Sequence, residues 1–302
     1  MDDTRAVHVP VLLQEVCAYI QIKPEGSYID CTLGDGGYSE AILKVLTTGS
    51  LLSIDVDDLA IDFVKRTILP KYPDKQWSIK KHNFADLSQE VSSQRIDGIL
   101  FDLGLSSRQL DADIYTRGFS FRSNQYLDMR MDRSLTVTAE DVLKASTQRD
   151  LAQIFRLYGE ERYADRIARA IKEYVREKPN ETVTTETVVA LIRKVVPAVY
   201  REGSKHPARR VFQALRIAVN DELHNIQQGI ASALAVVSLG GRIGVVSYHS
   251  LEDRIVKHAF KKAADSGEYR LITKKPVTPS EQEIQKNARA RSAKLRAIEK
   301  IT

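Results

Sequence analysis

The sequence predicts an open α/β sheet interrupted by an inserted helical domain, and three observations predict it. Short apolar runs alternate with helical patterns through the first third of the chain. The alternation then stops for about ninety residues, where an ordinary strand–helix connection needs only a few. It resumes in the final third, so one sheet domain interrupted by an insertion is the economical reading.

In chain order, residues 28–32 read as the first strand, followed by a glycine turn and a helix over 38–46. Residues 51–55 form the second strand, and 59–69 a helix ended by Pro70. Residues 77–79 are a weaker third strand and 96–102 a fourth. Strands alternating with helices imply right-handed crossovers and a parallel sheet covered on both faces. From Ser106 to Ala198 no strand pattern occurs: a polar loop rich in Arg, Asp and aromatics (111–132) precedes helical patterns at 139–145, 148–158, 160–176 and 185–195. After His206-Pro207 one long helix is expected over 208–237, with Val211, Leu215, Val219, Leu223, Ile226, Ile230 and Leu234 at helical spacing and Gly240-Gly241 ending it. Residues 242–247 are a fifth strand, 251–264 a helix, 269–273 a strand and 292–298 the last. The expected division is a sheet domain of 1–109 and 206–302 and a helical domain of 110–205.

A chain of 302 residues, 43% hydrophobic, suffices for one large domain or two modest ones. Its 45 basic residues nearly balance 40 acidic ones for a net charge of +5, so a polyanionic partner is permitted but any basic surface must be local. Cys17 and Cys31 make neither a disulfide framework nor a metal-type pair; no metal is expected, and a reducing cytoplasm fits. Residues 1–6 carry Asp2 and Asp3 and no apolar stretch, so they are not read as a signal peptide. No apolar run approaches the roughly 18 residues of a membrane span.

The string Asp30-Cys31-Thr32-Leu33-Gly34-Asp35-Gly36-Gly37 lies where the first strand meets a helix. Glycines there let the backbone pass close to a ligand, and the helix start offers free N–H groups. Thr32 stands where an Asp-x-Gly-x-Gly-x-Gly register has its first glycine. Asp55 ends the second strand, where a carboxylate accepts ribose hydroxyls. A dinucleotide would bring an anionic pyrophosphate against Asp30, Asp35 and Asp55. A cationic sulfonium suits them better, which favours S-adenosylmethionine over a nicotinamide cofactor. Asp102 ends the fourth strand at the same carboxyl edge, near the expected transfer point, and Phe84 and Gln109 follow the third and fourth strands as candidates for the adenine.

The chain resembles, over nearly its whole length, the 16S ribosomal RNA cytosine-N4 methyltransferases of the MraW/RsmH type. The matching strings begin at His8, Tyr28, Ile96, Arg117, Leu127, Tyr158, His206 and Ser247 and end in the tail around Arg291-Ser292-Ala293-Lys294-Leu295-Arg296. The resemblance implies a Rossmann-like class I methyltransferase sheet with an inserted all-helical domain. It implies S-adenosyl-L-methionine contacts by Gly36, Gly37, Tyr38, Asp55, Phe84, Asp102 and Gln109. It also implies a cytidine of the decoding centre, about position 1402 in common 16S numbering, as target within the small ribosomal subunit. The chain departs from the family's Gly-Gly-His-Ser and Ser-Ser-Pro-Gln at Tyr38 and Arg108.

Attack by the cytosine amine on an activated methyl needs alignment and an acceptor for the amine's N–H. Asp102 is the acceptor candidate, although Asp102-Leu103-Gly104-Leu105 lacks the Pro-Pro-aromatic clamp common in amino methyltransferases. His249, Ser250 and Asp253 follow the fifth strand and are candidates for the base pocket, His249 and Ser250 as catalytic groups. For RNA grip the candidates are Arg117 and Arg122, interleaved with Phe119 and Phe121, then Arg209 and Arg210, and the basic tail 286–296. A DNA or protein amine as substrate, a nicotinamide oxidoreductase, and a non-catalytic ribosome assembly factor are the competing readings. A homodimer is compatible with the sequence.

Overall fold

The computed structural model describes residues 10–91, 95–110, 116–202 and 206–302. The readings placed on residues 1–6, on His8 and on Asp111 lie outside them. The described elements, in order, are α1 (Leu13–Ile20), β1 (Ser27–Asp30), α2 (Gly37–Val45), β2 (Ser50–Asp55), α3 (Asp58–Thr67), β3 (Gln76–Lys81), β4 (Gly98–Asp102), α4 (Ser107–Leu110), α5 (Ala139–Ala145), α6 (Gln148–Gly159), α7 (Ala164–Glu177), α8 (Thr185–Val195), α9 (Ala198–Arg201), α10 (Arg209–Asn220), α11 (Glu222–Val236), β5 (Arg242–Ser247), α12 (Ser250–Asp265), β6 (Tyr269–Leu271), α13 (Glu281–Lys286) and β7 (Lys294–Lys300). They fall into two compact units, one of 1–104 with 223–302, the other of 105–222. No described helix is long and apolar enough to cross a membrane.

The first unit holds a seven-stranded sheet in the order β3-β2-β1-β4-β5-β7-β6. Its first five strands are parallel, and β7 runs antiparallel to both β5 and β6. Successive side chains of a strand point to opposite faces, and the central strands are apolar on both. Ile29, Leu52, Ile99, Phe101 and Val245 pack with Ile226 and Ile230 of α11 and Val256 and Phe260 of α12. Tyr28, Leu51, Leu100 and Val246 pack on the other face with Val16 and Ile20 of α1 and Ile42 and Leu43 of α2. Cys31 is buried in the first of these cores, as a small hydrophobe.

The second unit is helical, with no named strand among its described residues. Leu143, Phe155, Ile167, Ile171, Val188, Ile192, Val211 and Leu215 form its core, one apolar stripe from each of α5, α6, α7, α8 and α10.

Two helix boundaries correct the sequence expectation. The helix expected over 208–237 is two helices, because Asp221 adopts a left-handed φ of 47° between α10 and α11. The break is held by side chains: Asn220 Nδ2 donates to the carbonyls of Met129 and Arg216, its Oδ1 accepts from the Met131 N–H, and Arg216 pairs with Glu222 at 2.7 Å. The expected domain border at 206 accordingly moves to 222, since α10 contributes Val211 and Leu215 to the helical core. Likewise α7 begins at Ala164 rather than Glu160, which is left-handed at φ 50°.

Candidate active site

Asp30, Asp55 and Asp102 end β1, β2 and β4, three adjacent strands of the sheet. Asp30 pairs in register with Ser53 and with Leu100, so Asp55 and Asp102 each lie two residues beyond it along the strands on either side. Parallel strands of an open sheet bind ligands at their carboxyl ends, where Asp55 and Asp102 are half-exposed and Asp30 is buried between them.

Asp30 is fully buried and works as a brace. Its Oδ1 accepts the Thr32 N–H at 3.1 Å and its Oδ2 the Ser39 hydroxyl at 2.6 Å. Ser39 in turn lies 2.8 Å from the Ser53 hydroxyl, to which Trp77 Nε1 donates. Burial raises the Asp30 carboxyl to about 6, only partly countered by the bonds from Ser39 and Thr32. The acid expected to face a sulfonium therefore ties the glycine turn to the start of α2.

The turn itself needs glycine. Gly34 and Gly36 have φ of 49° and 81°, and a Cβ at Gly36 would sit 2.8 Å from Ile68 Cδ1. Gly36 caps α2 without a side chain, so no side-chain acceptor takes up the helix's first N–H groups there. Asp55 is half-buried: its Oδ2 accepts from Gly34 N–H at 2.8 Å and its Oδ1 from Asp57 N–H at 2.9 Å. Burial raises it to about 6. A carboxylate has about four acceptor positions, which leaves capacity for ribose hydroxyls. Tyr38 is buried and its hydroxyl donates to the Val11 carbonyl, so only its backbone is available to a ligand. Phe84, half-buried, meets Phe101 edge-on at 5.5 Å.

Asp102 is half-buried, and burial raises it to about 7, with the like charges of Asp30 and Glu252 adding to the rise and a bond from Tyr248 opposing it. Its N–H donates to Thr32 Oγ1 at 2.6 Å and its Oδ1 accepts the Tyr248 hydroxyl at 2.7 Å. Thr32 thus does what a glycine at that place in the motif cannot: it clamps β4 to the turn after β1. Among the described residues no cation lowers any of the three acids. Such an edge fits a positively charged ligand carrying a ribose, and it disfavours an anionic pyrophosphate.

The remaining candidates have structural tasks. His249 caps α12, its Nδ1 accepting the Glu252 N–H at 3.3 Å, while Glu252 Oε2 accepts the N–H groups of Tyr248 and His249. The cap commits Nδ1, while Nε2 lies 3.1 Å from Glu252 Oε1. Ser250 is exposed at the first residue of α12. Asp253 is ion-paired with Arg296 at 2.6 Å and Lys294 at 3.0 Å; burial pushes its carboxyl up, but these cations outweigh burial and hold it below the usual range.

Within the helical unit, Gln109 and Ser106 cap α4 reciprocally, Gln109 Oε1 accepting the Ser106 N–H and Ser106 Oγ the Gln109 N–H. Arg117 is 7% exposed, and its Nη1 donates to the carbonyls of Arg130 and Met131, both at 2.9 Å. Phe119 belongs to the core and Phe121 stacks on His206 at 4.5 Å. The interleaved string 117–122 is a folded loop, which corrects the RNA contact expected for Arg117; Arg122 alone of the two arginines is exposed. Arg209 is exposed, and Arg210 donates to the Glu160 carbonyl. The basic tail divides: Lys286, Arg289 and Arg291 are exposed, whereas Arg296 is buried on Asp253.

Two groups went unrecognised in the sequence, Tyr248 and Thr32. Register supplies the signal for the first: Asp102 pairs with Val246, so Tyr248 emerges just past β5 beside the end of β4.

Fold and site together define a class I methyltransferase that uses S-adenosylmethionine. A family model described as the MraW methylase family matches residues 5–301, and the chain belongs to that family, whose members methylate ribosomal RNA. Solved structures similar to it include an rRNA methylase from Streptococcus thermophilus, at 10% identity over 98% of this chain and 100% of that one, TM-score 0.47. A Streptococcus mutans protein assigned as a methyltransferase, in complex with SAH, is 12% identical over 97% and 100%, TM-score 0.48. A SAM-dependent O-methyltransferase from Thermotoga maritima is 8% identical over 100% and 69%, TM-score 0.44.

Proposed function

We propose that this methyltransferase acts on N4 of a decoding-centre cytidine in 16S rRNA of the small ribosomal subunit, near position 1402. The observation that carries the reading is Asp102, a half-buried carboxyl at the sheet edge, raised to about 7 and without a cationic partner among the described residues. The amine of cytosine is conjugated with its ring and weakly nucleophilic. An acceptor for its N–H localises the lone pair on nitrogen and takes up the proton as the new bond forms. A group with acidity near 7 is ionised in a large fraction of molecules at physiological pH and is still basic enough to receive that proton. S-adenosylmethionine supplies a methyl carbon already activated by its sulfonium. Asp55 would take the ribose hydroxyls, the backbone of Gly36, Gly37 and Tyr38 the donor's amino-acid end, and Phe84 the adenine.

The target base must leave its stack to reach such an edge. The helical unit is the proposed recognition module. Burial first, and then its exposed Arg193 and Arg122, hold the His206 ring below its usual pKa, and the two arginines so mark one positive face; Arg209, exposed nearby in sequence, extends it. Polyanion binding needs such unneutralised cations.

Labelled methyl transfer to small subunits lacking the modification, followed by nucleoside analysis, tests the reading. N4-methylcytidine at one position is the expected product. Label on another nucleoside, on ribosomal protein, or on DNA in preference would overturn it.

A further inference from the structure

We propose that Tyr248 is the positioning residue of the reaction: its phenol holds Oδ1 of Asp102 so that Oδ2 is presented, in one fixed orientation, to the amino group being methylated. This rests on the reading of Asp102 as the N–H acceptor. A carboxylate on a short stem rotates about its last bond, and a misplacement of about 1 Å at a reacting atom costs about a hundredfold in rate. At Asp102 both ends of the side chain are fixed. The backbone N–H is bonded to Thr32 Oγ1 at 2.6 Å, and Oδ1 accepts from Tyr248 at 2.7 Å. Among the described residues no hydrogen bond engages Oδ2.

Tyr248 is itself anchored at both ends. Its ring packs against the core formed by β1, α1 and α2, and its N–H donates to Glu252 Oε2 at 2.8 Å. Glu252 is fully buried at the start of α12, and its backbone N–H is capped by His249. Glu252, Tyr248, Asp102 and Thr32 thus form one bonded path across the ends of β5, β4 and β1, closing on Asp30 through the Thr32 N–H. The titratable groups that face Asp102 are Asp30 from β1, Tyr38 from α2, Tyr248 from the end of β5 and Glu252 from α12. Of these only the tyrosines can donate, and the Tyr38 hydroxyl is spent on the Val11 carbonyl. Burial and its acidic neighbours push the Tyr248 phenol far above its ordinary range, so it keeps its proton and stays a donor throughout the pH range of the enzyme.

The test is single-turnover methyl transfer by Tyr248→Phe to undermodified small subunits across pH, beside cofactor binding measured by calorimetry. Cofactor affinity is expected to stay within about twofold, because Asp55 and the glycine turn are untouched. The transfer rate is expected to fall about ten- to hundredfold. Loss of the donor also raises Asp102, so the acidic limb of the rate profile moves to higher pH by about one unit. Installing 3-fluorotyrosine at 248, a stronger donor of nearly the same shape, moves the limb the other way and covers the case in which the phenylalanine variant folds poorly. A limb unmoved in the fluorinated enzyme, or wild-type rate and profile in Tyr248→Phe, would overturn the proposal. The nucleoside made by the wild-type enzyme judges the N4 reading separately, since the ratio of variant to wild type does not depend on which base is methylated.

Discussion

At the carboxyl edge of the sheet, Asp55 and Asp102 are half-buried acids with no cation beside them among the described residues; in the helical unit, Arg117 is more enclosed still, yet its Nη1 is bonded to two backbone carbonyls. Both regions draw attention in the sequence by their charge. They differ in what the fold offers that charge. Arg130 and Met131 supply the arginine with acceptors, so it stitches the 116–132 loop together. Among the described residues the acids are given N–H and O–H donors but no counter-charge, so burial raises their pKa and leaves a standing preference for a positive ligand. An acid that is half-exposed as well as held short of neutralisation can still meet a ligand, whereas the fully buried Asp30 cannot.

This contrast can be broken at several points, beginning where the effect is largest. Asp102→Asn keeps the shape and removes the proton acceptor; methyl transfer should fall about a thousandfold in single-turnover assays at saturating cofactor. Retained transfer would place the acceptor elsewhere. Asp55→Ala removes the proposed ribose acceptor, and calorimetry should show S-adenosylmethionine binding weakened by about ten- to a hundredfold. Arg117→Met is the converse experiment. It orphans two carbonyls and should cost about 2 kcal/mol of stability in denaturant titration, while the salt dependence of RNA binding stays as in the wild type. A flattened salt slope would return Arg117 to the RNA interface. Arg122→Ala with Arg193→Ala should do the opposite, lowering RNA affinity severalfold and the salt slope by about one to two with no loss of stability.

The smallest effect concerns protons. The folded acidities of Asp30 and Asp55 are about 6 and that of Asp102 about 7, against an ordinary 3.8. A raised carboxyl contributes stability when protonated, fully present below about pH 3.8 and lost as pH rises through 6 to 7. The ligand-free protein should therefore lose this contribution progressively between about pH 4 and 7. Binding a sulfonium should pull the same carboxyls down and release protons near pH 6 to 7, seen as buffer-dependent heats in calorimetry. No proton release would mean that the acids do not face the donor's charge.

Much of this was legible in the sequence because it is local. Strands β2 and β5 and helices α5 and α8 lie at or within a residue of their expected bounds, since apolar periodicity and flanking turn residues mark them. The glycine turn and the acids that end three strands were legible for the same reason. The split at Asp221 was not: no glycine or proline marks it, and it depends on Asn220 reaching the backbone of Met129 and Met131, about ninety residues earlier. Nor could charge pattern alone separate Arg117 from Arg122, five residues apart and similarly flanked by aromatics.

The amino-acid sequence by itself determined the alternation of strands and helices, the interruption by a helical unit, the glycine turn and the acidic strand ends, because each follows from the chemistry of neighbouring residues. Tertiary structure alone decided which charges are consumed. Asp30 became a brace, Asp253 an ion pair, His249 a cap and Tyr248 a partner of Asp102, through contacts that join residues far apart in the chain. A side chain's charge is written in its identity, but its availability depends on what the rest of the fold places within about 3 Å of it.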